Sequence, residues 1–588
     1  MKNPESLWRF SFLGIVMTAL PVLIILRIIL IQTNAEQSKM LIEKGEYYRI
    51  TQHTLVPARG EIYDRYGNIL AANKTAYEVG IELRQVRNPE TIALIASVVF
   101  GLDYDDVKAA AEIEPSNDAV YAVLTRYASQ EQINKLELMA EKIQNDGLKS
   151  KDKNPPSLKG LVTTPQLMRV YPEKEVASNI LGFVNADNKG FYGVEGYYAD
   201  LLAGKPRTIA LPRNPHDLQT LPEIPAGADL VLTIDRKVQA RVEQILDNAV
   251  DGSGSSSGTI VVMDPKTGEV LAMATTPRMD INEYWRYGEV FPGSTPFNRA
   301  VSQAYEPGSV YKILTMSSAL DAGAVKPETE FLDRGVFEIG GTLIYNWNYG
   351  AWGPQNMQGC MAHSLNVCLA WVASQLGPKN FYKYMDAFGI GHLTGVDMAG
   401  EASGRLKVPG DNDWYDADLG TNAFGQGVAA TPIQMASAAT ALANNGVMMA
   451  PHVVRSLIHD KFQQDFELRP AGAPIRPETA RTITNMLAHS LESESSDALV
   501  TGYRIAGKTG TAEIPTPYGY TSNQTNASFV GWGPVDDPKF LVYVWLEKPQ
   551  TSIWGSIVAA PVFREVAENL VVLMDIPPDH IRKQYYGQ

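Results

Sequence analysis

Ser309 and Lys312, three residues apart, are the chain's leading candidates for chemistry. Ser309-Val-Tyr-Lys312 follows the break Glu306-Pro-Gly308 and runs into the apolar stretch Ile313 to Leu320. The spacing predicts a helix that starts at Ser309 and carries Lys312 one turn behind it on the same face. Serine is a poor nucleophile at neutral pH unless a base removes its proton as it attacks. A lysine kept neutral by desolvation and nearby cations is such a base. A helix N-terminus adds backbone N–H groups and a positive dipole end where an oxyanion would form.

Ser-x-x-Lys by itself is a weak signal, and the chain holds a second copy at Ser150-Lys-Asp-Lys153, in a charged stretch before Pro155 that reads as a solvated loop. The copy at 309 gains weight from two later motifs in a fixed order. Ser364-Leu-Asn366 lies 55 residues on, and Lys508-Thr-Gly510-Thr511 lies 144 residues after Ser364. Three such motifs in this order mark a serine acyl-transfer site. Lys266-Thr-Gly268 is a decoy. It joins two strand patterns, 259–263 and 269–273, so that lysine belongs to a hairpin turn. Lys508 instead follows Tyr503-Arg-Ile-Ala-Gly507, a strand whose edge is suited to an extended peptide.

The elements that position these residues are those of a multi-domain globular chain. It has 588 residues, 45% hydrophobic and 20% charged, with a net charge of −14. No basic face is evident, which excludes nucleic acid as a partner. The apolar run from residue 9 to 31 is long enough to span a bilayer. Lys2 and Arg9 at its start favour a cytoplasmic N-terminus in the cell (inner, cytoplasmic) membrane. Arg27 snorkels near the outer end. A cleaved signal peptide is the rival reading, disfavoured by the length of the run. The rest of the chain is then extracytoplasmic.

Cys360 and Cys368 are the only cysteines. On one continuous helix they stand about 12 Å apart, beyond the roughly 7 Å a disulfide tolerates. Free buried thiols are expected, with a bridge only if the chain bends between them. The eight histidines show no metal-ligand spacing, so neither metal nor cofactor is expected. His363, beside Ser364, reads as structural.

Along the chain, Arg59 to Ala71 reads as two short strands around an Asp64-Arg-Tyr-Gly-Asn68 turn. Residues 89–148 carry helical periodicity, and 149–158 a polar, Pro-containing linker. Pro212 to Pro225 is Pro-rich. A strand at 229–235 leads to a helix through Ile245, and 252–258 reads as a Gly/Ser linker. Strands at 527–531 and 540–546 and a helix from Pro561 to Met574 close the chain. Strands on both sides of a helical block imply an α+β domain with one antiparallel sheet flanked by helices.

With these residues in place, the chain resembles a class B penicillin-binding protein, a monofunctional peptidoglycan D,D-transpeptidase. Arg59-Gly60, Asp64-Arg65 and Gly67, then Arg169, Tyr171-Pro172, Gly193 and Glu195, resemble the family's pedestal motifs. Leu232-Thr-Ile-Asp235, Asp264-Pro-x-Thr-Gly268, Gly425-Gln-Gly427 with Thr431-Pro432 and Gln434, and Ala559 to Phe563 resemble its transpeptidase domain. The resemblance implies a cytoplasmic tail at 1–8, a single transmembrane helix at 9–31 and an elongated pedestal (dimerisation-like) domain at 32–225. A transpeptidase domain at 226–576 and a tail at 577–588 would follow. No glycosyltransferase domain precedes the pedestal, which sets class A aside. Glu306-Pro-Gly-Ser309, Gly400 to Gly404 and Lys508 to Ala512 are closer to the cell-division branch than to the elongation branch.

The resemblance also implies roles. Ser309 would attack the penultimate D-Ala of a pentapeptide stem, on lipid-linked or nascent glycan, with Lys312 as base. Ser364 would relay a proton to the leaving amine, and Asn366 would hold the substrate amide. Lys508 would set the field, and Thr509, Gly510 and Thr511 would form the substrate-binding strand. The N–H groups of Ser309 and Thr511 would make the oxyanion hole. β-Lactams would trap Ser309. A SEDS-type glycan polymerase and divisome membrane proteins would be partners. A β-lactamase shares the motifs but needs a deacylating base that the sequence does not offer, and a β-lactam-sensing receptor needs more membrane spans. A catalytically inactive divisome scaffold is the non-enzyme alternative.

Overall fold

The computed structural model describes residues 4–36, 38–41, 50–116, 119–149, 155–212, 224–293, 295–516 and 519–586. The Ser150-to-Lys153 copy and most of the Pro-rich stretch lie outside them. The chain divides into two compact units, one of residues 1–58 with 204–226 and one of 59–203 with 227–588.

The first unit holds the helix Pro4–Thr33. Its segment Trp8–Thr33, of mean hydropathy 2.6, is the one helix among the described residues long and apolar enough to cross a membrane. Both of its threonine hydroxyls within the apolar segment are satisfied in the helix: Thr18 Oγ1 donates to Gly14 O at 2.8 Å and Thr33 Oγ1 to Ile29 O at 2.8 Å. That is what a low-dielectric setting demands of a polar group. Ile50–Leu55 pairs antiparallel with Arg207–Pro212 in the same unit.

In the second unit the long strand Ile69–Glu82 is flanked antiparallel by Tyr121–Ala128 and Leu161–Val170. The expected helical region is therefore interrupted. Helices Pro89–Phe100 and Tyr104–Ala111, capped by Asn88 and Asp103, precede the strand Tyr121–Ala128, and the helix Gln130–Lys149 follows it. Tyr121, Val123 and Thr125 alternate with Ala122, Leu124 and Arg126, and period 2 outweighs the helical pattern on either side. The Asp64 turn forms as expected: Asp64 Oδ1 accepts from Tyr66 N at 2.9 Å and Asn68 N at 2.8 Å, and Gly67 takes φ +84°. Ile62–Tyr63 before it pairs parallel with Asp229–Leu232.

Helix Arg236–Ser253 is N-capped by Asp235 and ends at left-handed Gly254. The stretch expected to be a linker at 252–258 is thus a helix cap running into the strand Ser257–Met263. Five antiparallel strands form the main sheet, in the order Val270–Thr275, Ser257–Met263, Phe540–Glu547, Gly519–Gly533, Ala506–Thr516. The Lys266 turn joins the first two in the chain, and its ammonium pairs with Asp537.

The central strand Phe540–Glu547 is apolar from Phe540 to Leu546, and both its faces are covered. Phe540, Val542, Val544 and Leu546 pack in the core with Leu246 and Phe563, from helices Arg236–Ser253 and Ala560–Leu573. Leu541, Tyr543 and Trp545 join the other core, with helices Lys312–Asp321, Asn366–Leu376 and Pro432–Ala443. Ala506–Thr516 is the last strand, so its outer edge pairs with no strand among the described residues.

Candidate active site

Ser309 sits where the helical block meets that edge strand. The turn Gly308–Tyr311 is 3-10, and the α-helix begins at Lys312, one turn later than the sequence implies. Gly308 takes φ +61° and donates its N–H to Gly425 O at 3.0 Å. A Cβ on Gly425 would lie 2.3 Å from Gly308 O, and one on Gly308 would lie 2.8 Å from Ala512 Cβ. The nucleophile turn is thus wedged between the Gly425 loop and the Lys508 strand. Just before it, the Glu306 carboxylate accepts from Gly427 N at 3.1 Å and Tyr520 OH at 3.0 Å.

Lys312 is fully buried beneath the turn. Its Nζ donates to Ser364 O at 2.7 Å, Asn366 Oδ1 at 2.7 Å and Ser364 Oγ at 3.2 Å. All three partners are neutral oxygens on the second motif. Burial pushes the Lys312 ammonium well below the usual lysine range, and the charge of Lys508 pushes it further. Both causes favour the neutral amine.

Ser364 takes φ +55°, an uncommon backbone for a non-glycine residue. This bend separates helix Met357–Ala362 from helix Asn366–Leu376. It also corrects the expectation for the cysteines. Cys360 and Cys368 lie on different helices with Cα atoms 6.1 Å apart, and they form a disulfide. The continuous-helix distance does not apply because the chain reverses at Ser364.

Lys508 is buried in the edge strand, its Nζ 3.4 Å from Thr509 O and Thr509 Oγ1. Burial lowers its pKa to about 8, and the carboxylate of Glu494 counters part of that effect. No salt bridge joins Lys312 or Lys508 to a carboxylate among the described residues. Thr511 Oγ1 accepts from Gly555 N at 3.0 Å. A Cβ on Gly555 would stand 2.1 Å from Gly510 O, and one on Gly510 would stand 2.9 Å from Val310 Cγ1. The strand's glycine therefore lets three segments stack at backbone distance.

Ser309, Ser364, Asn366, Lys508, Thr509 and Thr511 line one cavity of about 490 Å³. Lys312 and Gly510 do not line it; Lys312 Nζ reaches it through its bonds to Ser364 and Asn366. Sequence reasoning missed the rim. Trp347 and Trp554 meet edge to face across it, ring centroids 5.3 Å apart. His363 stacks on Trp352 at 4.3 Å, and its Nδ1 lies 3.2 Å from Glu494 Oε1. These residues come from three separated segments and share no local motif, so only the fold unites them.

The chain is similar to known proteins in sequence and fold. The penicillin binding protein transpeptidase domain matches residues 258–568, and the penicillin-binding protein dimerisation domain matches residues 54–211. Stage V sporulation protein D of Bacillus subtilis is 33% identical over 543 residues, covering 90% of this chain and 80% of that protein. Peptidoglycan D,D-transpeptidase FtsI of Escherichia coli is 28% identical over 589 residues, covering 97% and 93%. A crystal structure of penicillin binding protein 3 from Mycobacterium tuberculosis, complexed with aztreonam, shares the fold. Its TM-score is 0.67 at 24% identity, over 90% of this chain and 98% of that one. The chain belongs to the class B penicillin-binding protein family and carries that family's transpeptidase and dimerisation domains.

Proposed function

We propose that this chain is a peptidoglycan D,D-transpeptidase acting through a Ser309 acyl-enzyme in septal wall synthesis. The contact between Lys312 Nζ and Ser364 Oγ, at 3.2 Å, carries the reading. A neutral Lys312 accepts the Ser309 proton as Oγ attacks the penultimate D-Ala carbonyl. The backbone N–H groups of Ser309 and Thr511 hold the oxyanion. The proton passes from Lys312 through Ser364 Oγ to the leaving amine, and the C–N bond breaks to release D-Ala. Asn366 orients the substrate amide. Lys508, Thr509 and Thr511 hold the terminal carboxylate, with Gly510 keeping the strand close to the turn. A second stem's amine then attacks the ester and restores Ser309. A β-lactam enters as a donor whose leaving group stays tethered.

The N-terminal helix serves as a single-pass anchor, with Lys2 and Arg9 on the cytoplasmic side. Division membrane proteins and a SEDS-type polymerase are the partners this reading assigns, supported by the likeness to FtsI and the sporulation protein.

Labelling with a fluorescent penicillin, followed by peptide mass spectrometry, tests the reading. One adduct on the peptide containing Ser309, lost in Ser309→Ala, is the expected result. Undiminished labelling of Ser309→Ala would sink the assignment. A folded wild-type protein that takes no label would favour an inactive scaffold.

A further inference from the structure

The cavity contains an acidic residue that the three motifs do not include. Glu494 follows the last turn of helix Pro477–Ser493, its N–H bonded to Ser490 O at 3.1 Å. A carboxylate at a helix C-terminus faces the negative end of the dipole, which costs stability locally. A compensating interaction with a cation or an N–H donor is therefore expected. His363 Nδ1 lies 3.2 Å from Glu494 Oε1, and Lys508 lines the same cavity.

Both contacts reach the motifs. His363 immediately precedes Ser364, stacks on Trp352, and accepts Trp347 Nε1 on its carbonyl at 3.3 Å. The helix that ends at Glu494 is tied to the helix before Ser364 by Gln358, whose Nε2 donates to Met486 O at 2.9 Å and Ser490 Oγ at 3.1 Å. The same helix packs against the Lys508 strand. The charged and titratable groups around Lys508 are Lys312 from the nucleophile helix, His363 from the Ser364 turn, and Glu494 and Asp497 beyond the 477–493 helix.

We propose that Glu494 is a positioning residue for transpeptidation. It fixes the Ser364 turn through His363 and presents its charge to Lys508 across the cavity. The proposal rests on the acyl-transfer reading above. It answers a problem that reading raises: two buried lysines of like charge must hold different protonation states. Lys312 has to be neutral to act as a base, and Lys508 has to be charged to hold a carboxylate. Glu494 acts on Lys508, whose ammonium it supports, while Lys312 is met by neutral oxygens.

The test is the pH profile of penicillin acylation, measured with the full chain and scored as Ser309 adduct. In wild type the rate falls as pH rises through about 8, where Lys508 loses its proton. Glu494→Gln keeps an acceptor for His363 but removes the charge. Its alkaline limb should move to lower pH by about half a unit or more, and added salt should shrink the difference. His363→Ala keeps the charge and cuts the link, so the rate should fall with the limb unmoved. Glu494→Asp should restore the wild-type limb. A Glu494→Gln profile lowered equally at every pH, or a wild-type profile flat through pH 8, would overturn the proposal. Absence of any Ser309 adduct in wild type would overturn the acyl-transfer reading itself.

Discussion

Two of the places where the second unit buries charge follow opposite rules. Between residues 59 and 203, Glu195 is fully buried between two arginines. Arg59 Nε lies 2.6 Å from Oε2 and Arg169 Nε lies 2.7 Å from Oε1, while Tyr171 OH donates to Oε1 at 3.3 Å. In the transpeptidase region Lys312 and Lys508 are as deeply buried, yet neither has a carboxylate at ion-pair distance among the described residues. In the first cluster both arginines share one carboxylate, and the pairing ties three separated segments together. The second leaves like charges to oppose each other, so burial and the charge of Lys508 both disfavour the charged form of Lys312. Buried charge that is paired is scaffold, and buried charge left in conflict is chemistry.

Breaking the paired cluster gives the largest expected effect. Glu195→Gln leaves Arg59 and Arg169 uncompensated and should cost about 3–5 kcal/mol of stability. Denaturant unfolding measures the loss, and Ser309 labelling of the remaining folded protein should keep its wild-type rate. Equal stability would erase the contrast. In the opposed pair the chemistry should suffer most. Lys312→Arg stays protonated and should slow acylation of the folded protein at least ~10²-fold, and a charge it cannot shed in the buried site also lowers the melting temperature. The wild-type rate should also fall at acid pH as Lys312 takes up its proton, the sign its lowered pKa requires. An arginine variant with normal acylation would refute the base role. A third, covalent restraint sharpens the comparison. Replacing Cys360 and Cys368 together by alanine opens a nine-residue loop, which the chain-entropy relation values at about 2.5 kcal/mol. Calorimetry should show a lowered melting temperature, with acylation slowed less than by Lys312→Arg.

The site was more legible than the scaffold. Ser309, Lys312, Ser364, Asn366 and Lys508 stand out because acyl transfer needs those residue types in close local spacings, and local spacing survives in sequence. They meet around one cavity, although Lys312 bonds to the Ser364 turn. The disulfide was missed because one backbone angle, at Ser364, reverses the chain where propensity suggests continuity. The strand Tyr121–Ala128 was missed because helical patterns surround it. Trp347, Trp554 and Glu494 left no signal, since each meets the motifs only through tertiary packing.

The close glycine contacts around the Ser309 turn and the Lys508 strand also bear on escape from inhibitors. A methyl group at Gly308, Gly425, Gly510 or Gly555 would meet other atoms at 2.1–2.9 Å, and at each position a backbone atom or a packed side chain would have to move. If Ser309 is the acylated residue, selection by a β-lactam finds little room to add bulk around its turn and the Lys508 strand. The room lies at the rim, where Trp347 and Trp554 are exposed. Change there leaves the three motifs untouched.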